Sequence, residues 1–361
     1  MGLADIISMA AFPVIIGIVI TAIVYYIRKS NNRKEDLDTY MTDLYSTTNG
    51  FIRPITASDP DCSGNLYDYY IQTAYNACSG GTYMADYVSI VPLQAVLKQG
   101  VRCLDFEIYS LDNEAIVSTS TSDSYYFKET YNSVPFSTVM ETISNYAFAT
   151  GTAPNPTDPV IIHLRFKSAN QEMYTNLAST LKLYDNIMLG KEYSFENSGT
   201  NLGQTPLLTF KNKVILIVDR SNDSFLQNAA FLEYVNLTSN SLFMRGYRYF
   251  DVKNNPDVQE LTEYNKTAMT IVFPDKGADP PNPSGPLCRT YGCQMIAMQY
   301  QKVENMLIEN RTFFEGCGYA FCLKPANLRN QPVTIPVPTP QNPAYSYATR
   351  NVSTDYYSFK I

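Results

Sequence analysis

Gly100-Val-Arg-Cys-Leu-Asp-Phe-Glu-Ile-Tyr109 has the period of a strand with one face turned to a site. Val101, Cys103, Asp105 and Glu107 fall on one side, and Arg102, Leu104, Phe106 and Ile108 on the other. Two carboxylates two positions apart on one face of a largely apolar strand are expensive to bury unless something positive sits between them. Whether that something is a metal ion decides whether the chain can be an enzyme.

Outward from this stretch, short apolar runs alternate with helical segments. The pattern predicts strands near Tyr69–Thr73, Pro159–Phe166 and Lys213–Val218, and helices near Val91–Gln99, Val134–Ala147 and Ala169–Leu183. Strand, helix, strand is the signature of a parallel sheet wrapped by helices, and over ~250 residues it leads naturally to a closed barrel. No internal repeat is visible.

Before the body, Ile6–Ile27 contains no charged residue, and its 22 positions make a helix of about 33 Å, enough to cross a bilayer core. It reads as a transmembrane anchor (1–30) rather than a cleaved signal, because the basic group Arg28, Lys29, Arg33 and Lys34 follows the run instead of preceding it. That flank places the C-terminal body on the cytoplasmic or equivalent side. Met1-Gly2 is discounted as a myristoylation signal, since position six is Ile6. Residues 31–61 read as a polar tether, helical over Glu35–Leu44, and 331–361, rich in Pro and Tyr, as an extended tail without strand or helix period.

The composition, 45% hydrophobic and 17% charged, is that of a folded globular protein, and a net charge of −7 argues against nucleic acid as a partner. The seven cysteines, with one histidine (His163), lack zinc spacing and read as isolated, mostly buried thiols. The sequons at Asn222, Asn236, Asn265, Asn310 and Asn351 are close to chance in a chain this rich in Asn, Ser and Thr.

Gly100–Tyr109, the strand Pro159–Lys167, and above all Tyr291-Gly-Cys-Gln-Met-Ile-Ala-Met-Gln-Tyr300 with Cys317-Gly-Tyr-Ala-Phe-Cys-Leu-Lys-Pro-Ala-Asn-Leu-Arg329 resemble the eukaryotic-type phosphoinositide-specific phospholipase C. The likeness spans roughly 62–330, with an X-like half at about 62–220 and a Y-like half at about 221–330. It implies a distorted TIM-type (β/α) barrel with its site at the C-terminal ends of the strands. It also implies cleavage of a phosphodiester by two histidines and a calcium ion held by Asn and carboxylates.

The positions that match those parts are degenerate. Where the family has His-Asn, this chain has Tyr75-Asn76, and a phenol exchanges protons poorly at neutral pH. Asn76, Asp105 and Glu107 retain ligand types, the last two with the shorter and longer side chains exchanged. The second histidine falls nearest Ser118. The strand Pro159–Lys167 carries Arg165 where the family has a ligand glutamate, and by alternation Ile161, His163, Arg165 and Lys167 share a face. Arg165 is therefore expected to replace the ion, pairing with Asp105, Glu107 or both, so calcium is expected to be lost. His163 reads as a core histidine. Ile217 and Asp219 stand where phosphate-binding cations are usual, and Lys276 is the nearest substitute in the later substrate loop.

The expected function is that of a membrane-anchored, catalytically inactive phospholipase C-like protein with a structural or adaptor role, bound to lipid through Ile6–Ile27 and to protein through the barrel surface or the tail. Abundant Asn and Tyr with no Trp suits an AT-rich genome such as that of a large DNA virus, where such a barrel would join an internal membrane to a shell. The alternatives are non-catalytic phosphoinositide binding and a divergent active phosphodiesterase that uses His163.

Overall fold

The computed structural model describes residues 3–124, 126–194, 201–331, 338–342, 345 and 347–361. Its centre is a nearly closed barrel of eight parallel strands: β1 (Tyr69–Ala74), β2 (Cys103–Leu111), β5 (Val160–Phe166), β6 (Val214–Asp219), β7 (Leu237–Ser239), β8 (Met244–Arg248), β9 (Met269–Phe273) and β10 (Met295–Met298). Hydrogen bonding runs β7-β6-β5-β2-β1-β10-β9-β8, so the seam lies between β7 and β8. Only residues 240–243 join those two strands. β3 (Glu114–Ser118) folds back on the end of β2 and pairs with β4 (Val134–Pro135), while β11 (Phe321–Leu323) lies antiparallel to β1.

Alternation along β2 sorts side chains as its sequence requires. Leu104, Phe106 and Ile108 join Leu93 and Val96 of α2 (Ile90–Lys98) and Val139, Met140 and Ile143 of α3 (Phe136–Ala147) in the outer layer. Cys103, Ile161, Ile215, Ile217 and Met295 fill the barrel interior. Gly100 enters β2 at a φ of 83°, where a Cβ would stand 2.8 Å from Ile52.

The stretch expected to be a tether is built into the body. One helix, α1, runs unbroken over Leu3–Leu44. Leu37, Met41 and Tyr45, spaced by four, bury one stripe against the barrel, and Tyr45 donates to the Tyr300 carbonyl at 2.7 Å. Ile52 and Ile55 continue the contact beneath the strands. Polar composition concealed this because the three other sides of the helix are exposed.

Two further expectations are corrected. Cys317 and Cys322 form a disulfide, while Cys62, Cys78, Cys103, Cys288 and Cys293 are buried free thiols. The tail 331–361, a separate unit, contains a hairpin of β12 (Asn351–Ser353) and β13 (Ser358–Lys360), closed by Thr354 and Tyr357. Strands of three residues are too short for a period to show in sequence.

Candidate functional site

The parallel register of β2 and β5 sets the site: Asp105 lies opposite His163, and Glu107 opposite Arg165. All four side chains point into the upper barrel. Arg165 spreads its guanidinium across both carboxylates, with Nε to Asp105 Oδ1 at 2.9 Å, Nη2 to Asp105 Oδ2 at 2.7 Å and Nη1 to Glu107 Oε1 at 2.7 Å. Nη2 also donates to Asn76 Oδ1 at 2.9 Å. Asn76 reaches that position from a left-handed φ of 44°, a conformation asparagine tolerates better than most residues.

Every carboxylate oxygen of this pair is occupied. Asp105 also receives His163 Nδ1 at 2.8 Å and the Asn76 amide at 3.3 Å. Glu107 receives Lys276 Nζ at 2.8 Å, Tyr109 Oη at 2.9 Å, and the Ser120 amide and hydroxyl at 2.9 and 3.0 Å. Burial alone would raise both acids. Arg165, with His163, outweighs it at Asp105 and holds that carboxyl well below the usual range; Arg165, Lys276 and Lys167 bring Glu107 down to about 2. Arg165 loses by burial but gains more from Asp105, and is held firmly in its charged form.

Tyr75 closes the site from above. Its ring lies 4.8 Å from the Arg165 guanidinium carbon, which Phe273 flanks at 5.3 Å, and Tyr75 is itself buried against Tyr83. The structure thus brings Tyr75, Asn76, Asp105, Glu107, Arg165 and Lys276 together. Ser118 stands apart: its hydroxyl bonds to Thr130 and to the Asn132 carbonyl, and the loop hydroxyl that reaches Glu107 is that of Ser120, two residues on.

A calcium ion does not fit this donor set. The oxygens of Asn76, Asp105 and Glu107 that converge on the site already accept from one guanidinium, and its charge occupies the point at which a cation would sit. Among the described residues, no group of three or more His, Cys, Asp or Glu is placed to hold a metal.

His163 bridges Asp105 and Ser239, with Nε2 2.9 Å from Ser239 Oγ. A tautomer with the proton on Nδ1 satisfies both, giving a Ser–His–Asp line. All three side chains are fully buried, and the Asp105 charge is already matched by Arg165, so the line has the form of a packed structural network.

Three residues at the mouth were not singled out by sequence. Arg248, at the end of β8, donates to both oxygens of Asp123 through the Nε–Nη2 edge of its guanidinium and through Nη1 to the Pro274 carbonyl at 2.9 Å. Lys167 donates to the Asp123 carbonyl at 2.8 Å, and burial brings its pKa down to about 8. Asp123 also lies 3.4 Å from Lys276. Lys167 was legible from its shared face with Arg165; Arg248 and Asp123 lie in short or irregular segments that carry no such signal. These groups border a cavity of about 160 Å³ lined also by Asp219, Asn240 and Tyr247.

Comparison with known proteins agrees with this architecture. Residues 62–220 match the X domain of phosphatidylinositol-specific phospholipase C. The fold is similar to crystal structures of PLC21 from L. pealei (20% identity, TM-score 0.59) and from S. officinalis (19% identity, TM-score 0.58). In each case the alignment covers 74% of this chain but 38% of the other, so this chain spans well under half the length of those proteins. Among curated proteins none matches. Residues 62–220 are therefore similar to the X domain of phosphatidylinositol-specific phospholipase C, and the barrel in which they are set is similar in fold to the PLC21 structures.

Proposed function

We propose that this protein is a membrane-anchored phospholipase C-like barrel that has exchanged phosphodiester cleavage for a structural, adaptor role. The observation that carries the reading is Arg165: its guanidinium makes the contacts that a cation would otherwise make with Asn76, Asp105 and Glu107. Tyr75 and Ser118 stand at the two positions where the resemblance implies proton-transferring histidines. Loss of one such group typically costs ~10²–10⁴ in rate, and here both are replaced. The helix over Phe12–Leu44 contains an apolar window long enough to span a bilayer, and the basic group Arg28, Lys29, Arg33 and Lys34 that follows the uncharged run favours a body on the cytoplasmic or equivalent side. The Cys317–Cys322 disulfide is unusual for a reducing compartment and pulls the other way. Protease cleavage at Arg350 in sealed vesicles decides the side.

The test of function is inositol phosphate release by the full-length chain from mixed phosphatidylinositol and phosphatidylinositol bisphosphate vesicles with calcium. Release no faster than the blank is expected. Turnover that disappears in His163→Ala would overturn the reading. A second reading, non-catalytic phosphoinositide binding, rests on Lys167 and Arg248, which bring the cations at the mouth to four with Arg165 and Lys276, facing five carboxylates (Asp105, Glu107, Asp123, Asp219, Asp251). Vesicle flotation that depends on the bisphosphate headgroup separates it from the first.

A further inference from the structure

The chain passes from α1 into the barrel through residues 45–59, and part of that connector is held by a covalent ring. Cys317 ends the helix Asn305–Cys317, and Cys322 is the middle residue of β11. Their disulfide ties the helix end to the strand and encloses only Gly318, Tyr319, Ala320 and Phe321. Two of those four hold the connector. The Gly318 carbonyl accepts the Arg53 amide at 3.0 Å. The Tyr319 hydroxyl donates to Asp59 Oδ2 at 2.6 Å, and its ring lies 4.5 Å from the Arg53 guanidinium carbon. Arg53 in turn stands 3.5 Å from the same Asp59 oxygen, so the three side chains close a clasp.

The ring sets the shape of that clasp. Gly318 takes a left-handed φ of 81° and caps the helix, its amide on the Phe314 carbonyl at 2.8 Å. Phe321 already lies in the core and pairs with Ile71 of β1. The chain must therefore pass from helix end to strand within four residues while Tyr319 stays against Arg53. Opening the bond returns to this turn the chain freedom that ring closure removes.

The bond is also reachable. Cys317 is half-buried, whereas the five free cysteines are buried. The basic flank of the apolar run favours the cytoplasmic side, where a disulfide is ordinarily transient or redox-sensing. A permanently closed cystine conflicts with that placement, and a switching one does not.

We infer that Cys317–Cys322 is a redox-sensitive latch. Closed, it holds the connector to the base of the barrel through Arg53 and Asp59; opened by a thiol such as glutathione, it releases that stretch while Leu37, Met41 and Tyr45 keep α1 docked. The inference goes beyond the adaptor role by giving it a control, and does not depend on the loss of catalysis. In the opening step a glutathione thiolate attacks Sγ of Cys317, the more exposed sulfur, and Cys322 leaves as a thiolate and takes up a proton. A second glutathione thiolate attacks the glutathione sulfur of the mixed disulfide, and Cys317 leaves and is protonated in the same way. Two electrons pass to the protein, and two glutathiones depart as one oxidised glutathione.

The test is hydrogen exchange of the full-length chain in detergent micelles, read by mass spectrometry before and after treatment with millimolar reduced glutathione. Maleimide labelling of the peptides that carry Cys317 and Cys322 reports the state of the bond. Both cysteines should become labelled, and exchange across residues 50–61 should quicken at least about tenfold. Residues 37–45 and the helix Gln171–Lys182 should not change. The double variant Cys317→Ser/Cys322→Ser should exchange at the fast rate with or without glutathione. Unchanged exchange across 50–61 in chains labelled at both cysteines, or a slow double variant, would overturn the latch. So would a pair that glutathione leaves unlabelled, or an acceleration that spreads equally to Gln171–Lys182. None of these outcomes bears on phosphodiester cleavage, which the inositol phosphate assay decides separately.

Discussion

Replacing Arg165 by Met keeps the length of the side chain and removes its charge. Asp105 then loses two donors and Glu107 one, all at 2.7–2.9 Å, in a site with no exposed carboxylate surface. Breaking a buried pair by removing one partner typically costs about 3–5 kcal/mol, because the remaining charge is stranded. Here two carboxylates are stranded, but His163 stays on Asp105 and Lys276 on Glu107, so about 4 kcal/mol is expected. That is a large share of the ~5–15 kcal/mol that holds a typical domain together. The cost should depend on pH with a definite sign. In the wild type both acids have depressed pKa values, Glu107 to about 2, so their contribution is complete above the unfolded carboxylate pKa of about 4 and is lost as pH falls toward the folded values. In Arg165→Met, burial raises both acids and protonation relieves the stranded charge. The gap between the two proteins should therefore be widest at neutral pH and narrow toward about pH 4. Denaturant unfolding of the full-length chain in detergent at a series of pH values measures it. A gap under about 1 kcal/mol at neutral pH, or one that does not narrow on acidification, would refute the assignment of Arg165 as the resident cation.

Other outcomes follow from the same contacts. Arg165→Glu should be destabilised without metal yet regain stability in millimolar calcium, by about 3 kcal/mol at a hundredfold excess over Kd, whereas the wild-type melting curve should not respond to calcium; thermal melts with calcium or chelator decide it. Asp123→Asn removes the counter-charge of Arg248 and Lys276 at the mouth, so binding of inositol bisphosphate by calorimetry should tighten at low salt, and an unchanged isotherm would show that the mouth does not bind anions. Lys324 is buried and brought down to about 7 by burial, with its amine on the Asn265 carbonyl at 2.7 Å. Because the unfolded chain holds that proton more firmly, stability should rise with pH from about 7 to 10, and Lys324→Met should flatten that slope in denaturant titrations. The loop closed by Cys317 and Cys322 is short, with a separation of five, so Cys317→Ser should cost only about 2 kcal/mol, read from the unfolding midpoint with and without reductant.

The barrel was legible because its strands are long enough to display a period. Each predicted strand and helix from Tyr69 to Val218 lies within a few residues of the observed one, since β2 and β5 alternate cleanly between a barrel face and a helix face. The convergence of Asp105, Glu107 and Arg165 followed from the same alternation. What sequence did not disclose depends on contacts across the seam and between loops. Arg248 ends a five-residue strand, and Asp123 sits in a loop whose place is set by the cations it meets. The docking of α1 was hidden for a different reason. Three apolar positions spaced by four suffice to bury a stripe, and in a polar background they look like an ordinary solvated helix.

The register of β2 and β5 also explains how one position can change the character of the site without disturbing the barrel. Parallel pairing places residue 165 beside residue 107, and residue 163 beside residue 105, whatever the side chains are. A carboxylate at 165 would add a third negative charge to a cluster that then requires a cation from solution. A guanidinium there supplies the cation and, being planar and forked, reaches Asp105 and Glu107 together while the Tyr75 and Phe273 rings cover its faces. Lysine has a single point of charge and cannot span both acids in that geometry. Arg165→Lys should therefore fall between wild type and Arg165→Met in stability, keeping one carboxylate satisfied and leaving the other. Equal stability of Arg165→Lys and wild type would mean that charge alone, and not the fork, holds the two strands' acids in place.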